Sequence, residues 1–180
     1  MLNDIQEILI TEEQIKARTK EMALALAEEY KGKNPVFVGV LRGVVVFFAD
    51  FIREFPEHCQ IDFMCVSSYK GTSSTGECTI SKDVSTPLKG RDVIILEDIF
   101  DTGRSLQFCH DYLMAKQPNS LKIVTLLDKP ERRQPWVTVK ADYVGFTIPD
   151  KFVIGYGLDY NDQYRNLPYV AIPKPEVYEK

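Results

Sequence analysis

Val93-Ile94-Ile95-Leu96-Glu97-Asp98-Ile99-Phe100-Asp101-Thr102-Gly103-Arg104-Ser105 places three carboxylates between an apolar run and a turn of phosphate-compatible residues. A short β-branched run of this kind reads as a strand buried on both faces, as in a parallel sheet covered by helices. Ligands of such sheets bind beyond the carboxyl ends of the strands. Glu97, Asp98 and Asp101 therefore stand where a ligand would be, and Thr102-Gly103-Arg104-Ser105 opens a helical run from Leu106 to Leu113. Free backbone N–H groups, two hydroxyls and a glycine that permits close approach suit a phosphate monoester at the positive end of a helix dipole. Carboxylates beside a phosphate repel it unless they contact hydroxyls of the same ligand or share a divalent cation with it. A ribose phosphate meets both conditions. The plainer alternative is a strand end followed by a helix that Asp101 or Thr102 caps.

The elements that must position these residues follow from the hydrophobic pattern. Thr11-Glu12-Glu13-Gln14 reads as a capping box, and Ile15, Met22, Leu26 and Tyr30 recur at helical spacing until Gly32 and Pro35. Val36–Leu41 reads as a strand, Arg42-Gly43 as a tight connection and Val44–Phe55 as a helix stopped by Pro56. Ile61–Val66 would complete a βαβ crossover by pairing in parallel. Ser67–Gly76 is small, polar and glycine-containing, which predicts a mobile loop, and Cys78–Val84 predicts a strand. After the central motif come strands at Leu121–Leu127, Tyr143–Thr147, Phe152–Tyr156 and Tyr169–Ile172, with Gly155 and Gly157 in a turn leading to Asp159.

Composition narrows the function classes. A chain of 180 residues, 44% hydrophobic and 27% charged, fits one globular domain with a complete core. Its net charge of −4 and pI near 5.3 argue against general nucleic-acid binding, which needs a basic surface. Cys59, Cys65, Cys78 and Cys109 form no C-x-x-C pair and, with His58 and His110, no convincing zinc set. Acidic residues at the amino terminus replace a basic-then-apolar signal, and Val44–Ala49 is too short to span a bilayer. The expectation is a cytoplasmic protein with reduced thiols and no membrane partner. The absence of G-x-x-x-x-G-K-[ST] leaves ATP hydrolysis unsupported. Asp-Thr-Gly also occurs in aspartic proteases, but those are all-β, unlike the helical run after Ser105.

Glu97-Asp98-Ile99-Phe100-Asp101-Thr102-Gly103-Arg104-Ser105 resembles the phosphoribosyltransferase signature, an apolar strand followed by E-D-x-x-D-T-G-x-[ST]. Further segments, in order, resemble the hypoxanthine-guanine branch over nearly the whole chain. Leu41-Arg42-Gly43 resembles the pyrophosphate loop, in which a non-proline cis peptide is common, and Ser68-Tyr69 resembles the Ser-Tyr pair of a mobile lid. Leu126-Leu127-Asp128-Lys129-Pro130 resembles the segment whose lysine reaches the exocyclic oxygen of a 6-oxopurine. Pro149–Tyr160 is the closest match after the signature, and Arg165 follows at the family's spacing. Arg104 and Ser105 stand where lysine and threonine are frequent, and Arg42 where some members have lysine.

The resemblance implies an α/β, type I phosphoribosyltransferase fold: a mainly parallel central sheet flanked by helices, a small hood and a mobile active-site loop. One domain would span residues 1–180, with a core at about 30–145, a hood from both terminal segments and a loop at about 67–79. It implies purine salvage from phosphoribosyl pyrophosphate and a 6-oxopurine base to a purine nucleotide, by a homodimer or homotetramer. Glu97 and Asp98 would hold the ribose hydroxyls, partly through Mg2+, with Thr102, Gly103, Arg104 and Ser105 on the 5′-phosphate. Asp101 would accept or stabilise the proton of the base, and Asp159 would help to place a second Mg2+ on pyrophosphate. Arg42, Gly43 and Arg165 would bind the leaving group; Lys129, Phe152, Val153 and Asp159 would surround the purine. Two rival readings remain open: a regulator of gene expression that keeps the fold and senses phosphoribosyl pyrophosphate, and an α/β scaffold that binds partners. In isolation, Lys129 would be a surface lysine, Phe152 and Val153 core residues and Asp159 a turn acid.

Overall fold

A run of nearly uninterrupted apolar strands sets the architecture. The computed structural model describes residues 1–68 and 78–178. Among them a six-stranded sheet runs in the order β4-β3-β2-β5-β6-β7, formed by Cys78–Lys82, Gln60–Ser68, Val36–Leu41, Asp92–Phe100, Ser120–Asp128 and Tyr143–Thr147. All neighbours pair in parallel except β4, which runs antiparallel to β3 at the edge. The central strands β2 and β5 are buried on both faces, as the β-branched runs imply.

Helices supply the two covering layers. α1 (Glu12–Glu29) carries the capping box at Thr11 and Gln14 and buries Ile15, Met22 and Leu26. With α2 (Val45–Glu54) it covers one face, in a core that includes Phe37, Phe47, Phe51, Ile94 and Leu96. α3 (Arg104–Met114) lies on the other face, where Leu106, Cys109 and Leu113 meet Val38, Val93 and Ile95. The chain leaves β2 toward β3 on one side and β5 toward β6 on the other, so the sheet reverses its winding between β2 and β5. A ligand crevice is expected at the carboxyl ends of that pair.

Several expectations need correcting. Ser67 and Ser68 belong to β3 and pair with Thr79 and Cys78 of β4, the expected strand there, so strand replaces loop at the start of the expected mobile segment. Tyr69 and the rest of that loop through Glu77 lie outside the described residues. Phe152–Tyr156 is not a strand: only an isolated bridge joins Ile154 to Ala171, because Gly155, Tyr156 and Gly157 all take positive φ. A strand absent from the sequence reading, β1 (Ile5–Ile10), pairs antiparallel with β8 (Val170–Pro173). Beside this two-stranded sheet, Ile154, Tyr164 and Leu167 form a small separate core with Ile5, Tyr160, Tyr169 and Val177 packed against it. A short helix, α4 (Pro175–Tyr178), follows.

Candidate active site

β5 continues through the first two acidic residues of the signature, Glu97 and Asp98, and ends just before Asp101. Glu97 and Asp98 are strand residues, each 8% exposed. Burial, then the like charge of Asp98, pushes the Glu97 carboxyl well above its usual range. Burial raises Asp98 as well, against a hydrogen bond from Glu97 and one from Ile99 N–H at 2.8 Å. The pair is therefore costly to ionise fully without a ligand, and sugar hydroxyls or a cation would supply what burial has removed.

A cavity of about 300 Å³ lies over this pair. Arg42 and Gly43 line one part of it, and Asp101, Thr102, Gly103, Ser105 and Leu106 another. Gly103 takes φ +82° before α3, whose first N–H groups have no carbonyl four residues back. Arg104 N–H reaches Thr102 Oγ1 at 3.5 Å, while its guanidinium lies over the Trp136 ring, 5.9 Å from the centroid, and does not line the cavity. The Leu41–Arg42 peptide is cis.

A second cavity of about 310 Å³ shares Gly43, Asp98, Ile99 and Asp101 with the first. Its other walls are Lys129, Phe152, Val153, Leu158, Asp159 and Arg165, so it adjoins the first across the two aspartates. Lys129 is no surface lysine: it is 4% exposed, donates to Lys151 O at 2.9 Å and lies 3.3 Å from Asp150 Oδ1. An ammonium has three donors, and the Lys151 carbonyl takes one of them. Phe152, by contrast, is 40% exposed rather than in the core, with its ring held near Tyr160 and Tyr178. Val153 is buried, and Asp159 lies in the irregular segment between Leu158 and Tyr160, engaged with Arg165 Nη2 at 2.8 Å.

Glycine contacts lock the two cavities together. A Cβ at Gly43 would collide with Asp98 Oδ2, and a Cβ at Gly157, where φ is +98°, would collide with the Gly43 carbonyl. The segment beside the small core thus rests on the Arg42-Gly43 loop, which rests on the acidic pair. Tyr156, at φ +50°, ties the same segment to α2 by donating its hydroxyl proton to Asp50 at 2.7 Å.

The family model for the phosphoribosyl transferase domain matches residues 6–161. The chain belongs to the phosphoribosyltransferase family. Hypoxanthine-guanine phosphoribosyltransferase of Streptococcus agalactiae serotype V is 51% identical over 179 residues, covering 99% of this chain and 98% of the relative. The protein of that name from Lactococcus lactis subsp. lactis is 52% identical over 177 residues, covering 98% and 95%. A crystal structure of a hypoxanthine phosphoribosyltransferase from Staphylococcus aureus aligns at a TM-score of 0.95 with 50% identity, covering 100% of this chain and 97% of that one.

Within this phosphoribosyltransferase, several site residues had no signal in the sequence. Arg132 Nε lies 3.2 Å from Asp101 Oδ1, out of line for a hydrogen bond, and that buried oxygen accepts none from the described residues. Arg133 stacks on Phe100 at 3.0 Å, pairs with Asp128 and donates to Asp101 O at 2.8 Å, so it anchors the signature loop from beneath. Asp150 and Asp162 join these cation networks. Arg132, Arg133 and Asp162 were not singled out in the sequence, because their partners are distant in the chain or lie in irregular turns, and Asp150 entered only as part of Pro149–Tyr160.

Among the described residues no group of three or more His, Cys, Asp or Glu side chains forms a ready metal cage. A hard cation such as Mg2+ is commonly held by one or two carboxylates and completed by ligand phosphates and water. Glu97 and Asp98 supply oxygen donors of that kind beside the Thr102-Gly103-Arg104-Ser105 turn. No helix among the described residues is long and apolar enough to cross a membrane.

Proposed function

We propose that this phosphoribosyltransferase serves purine salvage, moving the phosphoribosyl group of phosphoribosyl pyrophosphate to hypoxanthine or guanine. The products are IMP or GMP and pyrophosphate. The observation that carries this reading is the pair of adjoining cavities: a phosphate loop and acidic pair on one side, and a buried lysine beside an exposed ring on the other.

Thr102, Gly103 and Ser105 bind the 5′-phosphate, and Glu97 and Asp98 orient the ribose. The Arg104 backbone N–H belongs to the same cradle, and its guanidinium lies over the Trp136 ring. Magnesium, when bound at Glu97 and Asp98 or near Asp159, neutralises pyrophosphate charge and polarises the leaving group. Arg42 and Arg165 offset the remaining charge. In the second cavity Phe152 stacks on the purine face, Val153 offers a backbone group to its exocyclic position, and Lys129 donates to the 6-oxo group. Adenine would present a donor to that donor, and an unpaired buried donor discriminates strongly.

A ring nitrogen of the base attacks the anomeric carbon as the bond to pyrophosphate breaks, with inversion. Asp101 lines both cavities and accepts the proton that the base must lose, or stabilises it at the neighbouring nitrogen. The expected location is the cytoplasm and the expected assembly a homodimer or homotetramer. Asp101→Asn tests the assignment: kcat should fall about 10²-fold, the scale of a lost general base, with affinity for phosphoribosyl pyrophosphate retained. An unchanged kcat would remove Asp101 from the chemistry.

A further inference from the structure

The two cations assigned to pyrophosphate are already bridged by a carboxylate. Asp162 Oδ1 lies 3.4 Å from Arg42 Nη2 and 3.4 Å from Arg165 Nη2, so one oxygen faces both guanidinium groups. The backbone delivers it there. Asn161 and Asp162 are both left-handed, at φ 51° and 59°, conformations that Asn and Asp tolerate better than most residues. Asp162 N–H donates to Asp159 Oδ2 at 2.9 Å, and Tyr160 and Gln163 close the turn with reciprocal backbone bonds of 3.2 and 3.0 Å. A single oxygen between two guanidinium groups is also the arrangement an oxygen of a phosphate ester adopts.

The contact is built to be exchanged. The Asp162 and Arg42 side chains are 66% and 73% exposed, where ion pairs are weak and screened. Arg165 keeps its place without Asp162, because Nη1 donates to Gly157 O at 2.7 Å and Nη2 lies 2.8 Å from Asp159 Oδ1.

We propose that Asp162 is a built-in counter-anion that the pyrophosphate group of the substrate must displace. It holds Arg42 and Arg165 together in the ligand-free site, lowers affinity for phosphoribosyl pyrophosphate and speeds departure of pyrophosphate. This rests on the reading of Arg42 and Arg165 as the pyrophosphate cations. The displaced carboxylate also remains a like charge near the leaving group, which acts in the same direction.

Asp162→Asn is the test, since Asn accepts the left-handed backbone, keeps the N–H bond to Asp159 and removes the charge. The Michaelis constant for phosphoribosyl pyrophosphate and the inhibition constant of pyrophosphate should each fall about two- to ten-fold, the range expected for two exposed pairs. The constant for hypoxanthine should stay put, and the difference should shrink with added salt. A residue that merely supported the turn would leave both constants unchanged or raise them. Unchanged or raised constants overturn the proposal. Direct titration of both proteins with magnesium pyrophosphate needs no turnover: tighter binding by the variant supports the counter-anion even if the wild type forms no nucleotide, an outcome that would instead sink the transferase reading.

Discussion

Asp62→Asn should destabilise the protein by about 2–4 kcal/mol, an estimate built from hydrogen bonds to a charged group and the cost of a buried mismatch. Asp62 is 6% exposed on β3 and accepts from Phe63 N–H through Oδ1 at 2.7 Å. Its Oδ2 accepts from Ser85 N–H at 2.8 Å, Thr86 N–H at 2.7 Å and Ser85 Oγ at 3.2 Å. The less costly orientation of an asparagine keeps its oxygen toward Ser85 and Thr86 and turns its NH2 toward Phe63 N–H. One charge-assisted bond then becomes a donor-donor contact, and the remaining bonds lose the charge. Burial alone would raise the Asp62 carboxyl, but the N–H groups of Thr86, Phe63 and Ser85 outweigh it and hold it far below the usual carboxylate range. A depressed folded value means that the contribution is complete above the unfolded aspartate value of about 3.9 and fades as pH falls below it. Urea unfolding from pH 7 down to pH 3.5 would show a constant gap between wild type and variant until about pH 4.5, then a narrowing one. A gap under about 0.5 kcal/mol at pH 7, the level of an ordinary surface change, or one that widens on acidification, would refute the reasoning.

Two substitutions address the site itself. Gly43→Ala forces a Cβ against Asp98 Oδ2, so the acidic pair and the Arg42-Gly43 loop cannot both keep their places. The kcat/KM for phosphoribosyl pyrophosphate should fall about 100-fold, as for ångström-scale misplacement of reacting groups, while circular dichroism shows the fold retained. Phe152→Ala removes a ring whose exposure leaves it free to stack. The Michaelis constant for hypoxanthine should rise about three- to ten-fold, matching the worth of one aromatic contact, and steady-state kinetics should show the constant for phosphoribosyl pyrophosphate unmoved.

The parts of the fold written in local pattern were legible. Val36–Leu41 and Tyr143–Thr147 are strands with the expected bounds, because each is an apolar run closed by breakers or charge. β1 was hidden because Glu7 and neighbouring acids break its pattern and its partner β8 comes from the other end of the chain. Phe152–Tyr156 misled because its apolar composition is that of a strand, whereas Gly155 and Tyr156 turn the backbone left-handed. The acidic motif was legible in its own residue types and order, whereas Lys129, Phe152 and Val153 entered only by resemblance, and hydropathy alone would have placed Lys129 in solvent. Its burial depends on Asp150 and the Lys151 carbonyl, which only the folded chain brings near. Arg132, Arg133 and Asp162 escaped for the same reason.

The most direct measurement gives the protein phosphoribosyl pyrophosphate, magnesium and an equimolar mixture of hypoxanthine, guanine and adenine, then resolves the nucleotides by chromatography for wild type and Lys129→Met. The account predicts IMP and GMP with little AMP from the wild type, and from the variant a fall of about 100-fold in IMP formation with most of the discrimination against adenine lost. AMP formed by the wild type as readily as IMP, or a variant that keeps full selectivity, would contradict the assignment of this site to 6-oxopurines.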